Sequence, residues 1–398
     1  MNFEERVAAV AKFGVTERQA RFLTTVMLHS GLCVPRQFAT FAGIAYGHKV
    51  SRFFDRLATR EYAAECGCLH NRAALYHVRH QALYRAIGQP DSRYRRPVSA
   101  RHAIDRLMRL DAVISSGDFH WLGSEDEKVA FFGLTTRSFP RERLPHTVVN
   151  TPPSPRLHLF PDDLPIGVSS GGRVVFVVVL PMSDGDYRAC LQRHADLLRA
   201  LPGWTLRLVF ARDAANRVRD FETAARDELT LQLSPTSFAE FRWYCNERKT
   251  TTNTRARSQV DQRFARAHRA FATPRYELLY RRWVTGGDGV FELVSSTTIA
   301  EALERGTGRI ESQVLPFSYA HLTPLVAGPS SGEGVEEGER TTAQPQPVAA
   351  IALRIRFSRE QLIHRPGTAS MGLRRNEFVR RAARRGGGAL CRRCRRWR

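Results

Sequence analysis

The side chains best suited to bind a ligand lie on one predicted helix, from about His48 to Arg60. One stripe of this helix is apolar and comprises Val50, Phe53, Phe54 and Leu57. A second stripe is cationic, at spacings of three, four and four residues, and comprises Lys49, Arg52, Arg56 and Arg60. The major groove of DNA admits one helix whose outward side chains reach phosphates and base edges. The pattern predicts a DNA-recognition helix, and the alternative is a solvated basic face, which charge runs usually are.

Two short strands are predicted after this helix, Glu61 to Glu65 and Ala73 to Val78, with a polar loop between them. The loop carries His70 and Arg72. Three helices followed by a hairpin is the element order of a winged helix-turn-helix. We therefore expect His70 and Arg72 to bind duplex DNA together with the cationic stripe.

The same loop contains residues of the types that bind zinc, namely Cys66, Cys68 and His70, and Cys391 and Cys394 form a further pair. Zinc sites normally combine two ligand pairs, each at a short loop spacing. No second pair stands at a suitable distance from either group. We expect no metal and no other cofactor.

An acidic motif, Pro161-Asp162-Asp163, precedes the apolar segment Val174 to Leu180. Nucleases of the restriction-endonuclease-like type start from such a Pro-Asp pair and need a second acidic residue and a Lys on the following strand, to hold Mg²⁺ and assist the attacking water. The segment has neither, and we interpret Asp184 and Asp186 as part of a helix cap. We expect no enzyme activity; the alternative is a nuclease that uses Asp162 or Asp163 with carboxylates from distant parts of the chain.

Arginines alternate with aromatic residues between Arg263 and Trp283. Such aromatics can stack on the bases of single strands, but they equally anchor a helix to its own core. The pattern favours packing, and an RNA-binding or interaction protein whose basic C-terminal half does the work is a second alternative to DNA binding.

The elements before the recognition helix are a helix capped by Thr16 and Gln19 and a helix that starts at Val34-Pro35. A later helix from Ser99 to about Leu110 and a hairpin over His120 to Leu134 would complete a winged-helix domain at residues 1–139. A proline-rich linker at residues 140–155 follows.

Alternating strands and helices then predict an α/β domain with a helical extension at residues 156–327, of the restriction-endonuclease-like or a similar type. Its strands are expected at 156–160, 173–180 and 204–210, and its helices at 184–200 and 213–226. A flexible linker at residues 328–348 and a basic, disordered tail at residues 349–398 complete an α+β chain.

The chain has 398 residues and a formal net charge of +22, which favours polyanionic partners. Residues 365–398 hold twelve Arg and one Glu, so this segment is either a nucleic-acid arm or the translation of a GC-rich frame past its proper end. Irregularly spaced cysteines indicate a reducing cytoplasm. The longest strongly apolar run, Val174 to Leu180, is far shorter than the roughly 20 residues of a membrane helix.

Three segments carry a resemblance to a known family: Arg18 to Leu23, Val50 to Leu57, and Pro161-Asp162. In these the chain resembles the replication-relaxation type of protein found on bacterial plasmids and integrative elements. The resemblance implies a DNA-binding accessory of a mobile element, acting in replication, transfer or control of the element's genes. Winged-helix proteins often dimerise, and a homodimer is compatible with this interpretation.

Overall fold

The computed structural model describes residues 1–68, 73–135, 140–149, 156–180, 182–230, 234–251, 254, 257, 261–294 and 296–322. The helices are α1 (Phe3–Ala11), α2 (Glu17–His29), α3 (Pro35–Ala42), α4 (His48–Thr59), α5 (Gln81–Ala86), α6 (Ala100–Ile114), α7 (Glu125–Thr135), α8 (Asp184–Ala200), α9 (Val218–Thr230), α10 (Pro235–Thr250), α11 (Gln262–Ala270), α12 (Pro274–Gly286), α13 (Gly289–Val294) and α14 (Thr298–Glu304). The strands are β1 (Leu32–Cys33), β2 (Ala63–Gly67), β3 (Ala74–Val78), β4 (Phe119–Leu122), β5 (His146–Val149), β6 (Arg156–Leu159), β7 (Ile166–Ser169), β8 (Val174–Leu180), β9 (Trp204–Phe210) and β10 (Gly308–Val314). The fold is mixed α+β with several sheets.

The first three predicted helices and the second predicted strand form as expected, whereas the first strand, expected at Glu61 to Glu65, lies two residues later at Ala63–Gly67. Thr16 and Gln19 make the reciprocal capping box that begins α2, and Pro35 occupies the first turn of α3. Gly43 ends α3 in the left-handed region, with φ at 62°. Strands β1, β3 and β2 lie side by side in that order and are antiparallel. The sequence analysis missed α1, although Asn2 and Glu5 form a capping box at its start.

A five-stranded sheet in the order β10-β9-β8-β7-β4 forms the centre of the remaining structure. Strands β8, β9 and β10 are parallel, whereas β7 and β4 run antiparallel to their neighbours. Strand β8 is buried along its whole length, as expected for a continuous apolar run in a covered sheet. Val174, Phe176 and Val178 pack into the core that contains α8.

The opposite face of β8 joins the sheet to the N-terminal helices. Val175 and Val177 share a core with Leu32 and Val34 of the β1 region and with Leu107 of α6. Residues Met1–Ser331 accordingly form one compact unit. Apolar residues of the predicted 1–139 domain and of the predicted 156–327 domain therefore bury one another in this shared core.

Two local predictions are corrected as well. The hairpin over His120 to Leu134 is instead strand β4, which pairs with β7, followed by helix α7. The predicted linker at 140–155 contains β5, which pairs with β6. The partners of β4 and β5 lie farther along the chain, so local pattern did not reveal them. The predicted linker at 328–348 and tail at 349–398 lie outside the described residues.

The helical extension forms in the region expected. Helices α10 to α13 surround a core of their own that includes Phe241, Tyr244, Phe264, Trp283 and Phe291. Among the helices that the structure describes, none has both the length and the apolar character needed to cross a membrane.

Candidate nucleic-acid interface

Helix α4 is held by its apolar stripe. Val50, Phe53, Phe54 and Leu57 are at most 1% exposed. The ring of Phe53 lies 4.5 Å from that of Phe38 on α3, and the ring of Phe54 lies 4.6 Å from that of Tyr76 on β3, centroid to centroid. Because these contacts fix one face of α4 against α3 and the small sheet, the opposite face must point to solvent.

The cationic stripe occupies that exposed face. Lys49, Arg52, Arg56 and Arg60 are all exposed. Arg56 donates a long hydrogen bond of 3.4 Å to Oε1 of Gln19, and Arg60 donates one of 3.0 Å to the carbonyl of Phe13. The side chains of Lys49 and Arg52 make no hydrogen bond or ion pair to other residues of the described chain. Their charges are therefore available to an external anion.

Within the described residues, no carboxylate lies within 4.0 Å of the four cations of this stripe. By contrast, Arg21 on α2 is bound by both Glu4 and Glu17. Asp55 is the one acidic residue of α4, and it is exposed. The exposed face of α4 is consequently net cationic.

The start of α4 adds a feature that the sequence analysis missed. Tyr46 is 65% exposed just before the helix, and Ser51 is exposed on its first turns. Both residues line an open groove of about 400 Å³ that also reaches Arg36, Asp55 and His321. The signal in the sequence is an aromatic residue, Tyr46, directly before a cationic helix, in a loop that has no hydrophobic periodicity.

The two predicted loop residues, His70 and Arg72, lie outside the described residues. The strands on either side of them do pair, and Gly67 stands opposite Ala74 at the end of the hairpin. In the same hairpin the Cys66 thiol contacts the carbonyl of Ala64, and the Cys68 thiol that of Cys66. Burial raises the pKa of both thiols.

Among the residues that the structure describes, the Pro-Asp motif does not assemble a cluster of carboxylates. Arg193 binds Asp162 through both oxygens, with Nε 2.9 Å from Oδ2. Asp163 pairs with Arg93 and lies 3.8 Å from Nη1 of Arg109. Asp186 belongs to the cap of α8, where Ser183 Oγ accepts a hydrogen bond from the Asp186 backbone N–H at 3.1 Å.

A cavity of about 240 Å³ near Asp163 contains two buried basic groups that sequence reasoning also missed. Lys128 donates a hydrogen bond of 3.0 Å to the carbonyl of Leu164, and burial lowers its pKa to about 7. Burial lowers the pKa of His29 to about 3. Arg93, Asp163 and Glu125 also line this cavity, so it contains both signs of charge and does not select an anion by charge alone.

The aromatic residues between Arg263 and Trp283 serve packing, as the sequence analysis favoured. Trp283 is 7% exposed and donates a hydrogen bond of 2.9 Å from Nε1 to Asp288. Tyr276 and Tyr280 pack against the same core. The indole of Trp283 is therefore buried, whereas Tyr276 and Tyr280 remain partly exposed.

Comparison with protein-family models, curated proteins and solved structures found no match to this chain.

Proposed function

We propose that the N-terminal part of this protein is a winged helix-turn-helix that binds duplex DNA through α4 and the loop between β2 and β3. The element order α2-β1-α3-α4-β2-β3 supports this proposal, since α3 and α4 supply the helix pair and the antiparallel hairpin supplies the wing. The observation that carries the proposal is the exposed face of α4 with its four unneutralised cations.

The geometry suits a duplex better than a single strand. Lys49, Arg52 and Arg56 lie along one side of the twelve-residue helix α4, and Arg60 follows at its C-terminal end. Such a row of cations fits between the phosphates of a major groove. Single-strand binders instead combine a basic groove with stacking aromatics. The aromatics of the basic helical extension are engaged in its core, so an RNA-binding role for that region has less support.

We assign a non-catalytic role to the α/β part, as a platform for a partner protein or a second copy of the chain. Its sheet could belong to the restriction-endonuclease-like type, since the antiparallel strands β4, β7 and β8 are followed by α8 and the parallel strand β9. Asp162 and Asp163 are both engaged by arginines, and β8 offers neither acid nor Lys. Mg²⁺-dependent cutting of DNA that is lost in Asp162→Ala would contradict this assignment and support the nuclease alternative.

With the resemblance to replication-relaxation proteins, these features support a DNA-binding accessory of a bacterial mobile element that works in the cytoplasm. The test of DNA binding is fluorescence anisotropy of the full chain on a labelled random duplex. Lys49→Ala/Arg52→Ala is the informative variant, because these side chains make no contacts that the fold needs. Arg219→Ala/Arg226→Ala is the matched control, since both arginines are exposed on α9 and the charge change is the same.

The proposal expects weaker binding for the α4 variant, binding close to wild type for the α9 control, and stronger binding for Asp55→Asn. Equal affinity of the two double variants would refute the role of α4. If unlabelled single-stranded RNA displaces the protein better than duplex DNA, and binding depends on the C-terminal half, the RNA-binding alternative gains the support instead.

A further inference from the structure

Three side chains with different metal-binding atoms meet beside the Pro-Asp motif. Asp162 follows β6, whereas Cys190 and His194 lie four residues apart on α8 and therefore on the same face of that helix. One ligand atom from each residue lies within 4.8 Å of the others, and this is the one such group of three in the part of the chain that the structure describes. Cys190 and His194 are 1% and 3% exposed.

The distances are close to those of a metal site. In a tetrahedral zinc site with Zn–N and Zn–O near 2.0 Å and Zn–S near 2.3 Å, neighbouring ligand atoms lie roughly 3.3–3.6 Å apart. Nδ1 of His194 lies 3.7 Å from Oδ2 of Asp162.

His194 and Asp162 each already have a hydrogen-bond partner. Nδ1 of His194 makes a hydrogen bond of 2.9 Å with the Cys190 carbonyl, but that carbonyl also accepts the backbone N–H four residues later in the helix. Arg193 holds the Asp162 carboxylate in place, and such an outer partner commonly orients a metal ligand.

We propose that Asp162, Cys190 and His194 form a site for a zinc-type divalent cation. A thiolate, an imidazole and one carboxylate suit Zn²⁺, whereas Mg²⁺ prefers oxygen ligands alone. Binding converts the Cys190 thiol to a thiolate and releases its proton to solvent. The Asp162 side chain is 12% exposed, so the cation enters from that side. The site is independent of the proposed DNA-binding face.

The test is a titration of the chelator-treated full chain with Co²⁺, which reports a cobalt–thiolate bond by a charge-transfer absorption in the near ultraviolet. We expect this absorption to saturate at one Co²⁺ per chain, with release of a proton, and to be reversed by Zn²⁺. Absence of the absorption in the wild-type protein overturns the proposal without the need for any variant.

Variants locate the thiolate. Cys190→Ser should abolish the absorption, whereas Cys245→Ser, which changes a buried cysteine in another core, should retain it. Loss of the absorption in Cys66→Ser/Cys68→Ser or Cys391→Ser/Cys394→Ser, with retention in Cys190→Ser, would place the metal elsewhere and refute the assignment.

Should Cys190→Ser fail to fold, Asp162→Asn provides a second test, since removal of a ligand should weaken Co²⁺ binding by more than tenfold. Unchanged affinity in Asp162→Asn would refute a role for that carboxylate.

Discussion

Substitution of Asp111 tests whether the N-terminal helices and the end of the described chain form one unit. Asp111 on α6 is 6% exposed and accepts hydrogen bonds of 2.7 and 2.8 Å from Arg36 on α3 and one of 2.6 Å from the hydroxyl of Tyr319. The guanidinium of Arg36 also lies 3.6 Å from the ring centroid of Phe317. Three segments that are distant in sequence therefore meet at one carboxylate.

Removal of one partner from a buried ion pair costs about 3–5 kcal/mol. The Arg36 side chain is 27% exposed and can turn to water, which reduces this cost. For Asp111→Ala we expect a loss of about 2–4 kcal/mol in the free energy of unfolding, and for Tyr319→Phe a loss of about 1–2 kcal/mol. Urea unfolding of both single variants and of the double variant measures these losses.

The double variant decides whether the contact exists. If the Tyr319 hydroxyl binds Asp111, Tyr319→Phe should cost much less when Asp111 is already Ala, because its partner is gone. Strictly additive losses, or a loss below about 0.5 kcal/mol for Asp111→Ala, would mean that this junction does not form and would favour two separate domains.

Three further predictions concern stability. Burial lowers the pKa of His29 from 6.5 to about 3, so between these pH values the unfolded chain binds a proton at His29 and the folded chain does not. The free energy of unfolding therefore decreases as the pH falls, by up to about 1.4 kcal/mol per pH unit. His29→Gln should weaken this pH dependence, measured by urea unfolding at pH 7 and pH 4.5. Burial lowers the pKa of Lys128 from 10.5 to about 7, so burial of its charge destabilises the folded chain fully below pH 7, and this destabilisation disappears as the pH rises to 10.5. Lys128→Met should therefore be more stable than wild type at pH 6, by a difference in unfolding free energy that is smaller at pH 9. A difference that does not change with pH would contradict the lowered pKa. Thr16→Ala removes the cap of α2 and should cost about 1 kcal/mol, whereas Thr16→Ser, which keeps the hydroxyl, should cost little.

Local signals in the sequence were sufficient to predict the helices around α4. Capping at Thr16, the proline at the start of α3 and the two stripes of α4 are all encoded within a few residues, and the structure reproduces the corresponding helices. The apolar run of β8 was equally direct, because a short run made mostly of β-branched valines is typical of a strand that is covered on both faces.

Long-range pairing could not be predicted in the same way. Strand β4 has four residues, and its partner β7 begins at Ile166, more than forty residues later. A short strand carries no information about a partner at that distance, and the sequence analysis expected a local hairpin instead. The burial of Lys128 was hidden for a related reason, since a single Lys near several charged residues predicts an exposed helix face.

The candidate site likewise combines features that local sequence predicts with features that depend on long-range packing. The cationic stripe is a local pattern and could be found from the sequence, whereas the groove with Tyr46 depends on where α3, the small sheet and His321 meet. The meeting of Asp162 with Cys190 and His194 also depends on how α8 packs over the Pro-Asp motif.

The salt dependence of DNA binding tests the central claim most directly. Each phosphate contact contributes about 0.9 to the slope of log affinity against log salt concentration. The account predicts a linear decrease for the wild-type chain and a slope that is shallower by about 1–2 for Lys49→Ala/Arg52→Ala, while Arg219→Ala/Arg226→Ala retains the wild-type slope. Identical slopes and affinities for all three proteins, or no binding by the wild type at low salt, would contradict a DNA-binding role for α4.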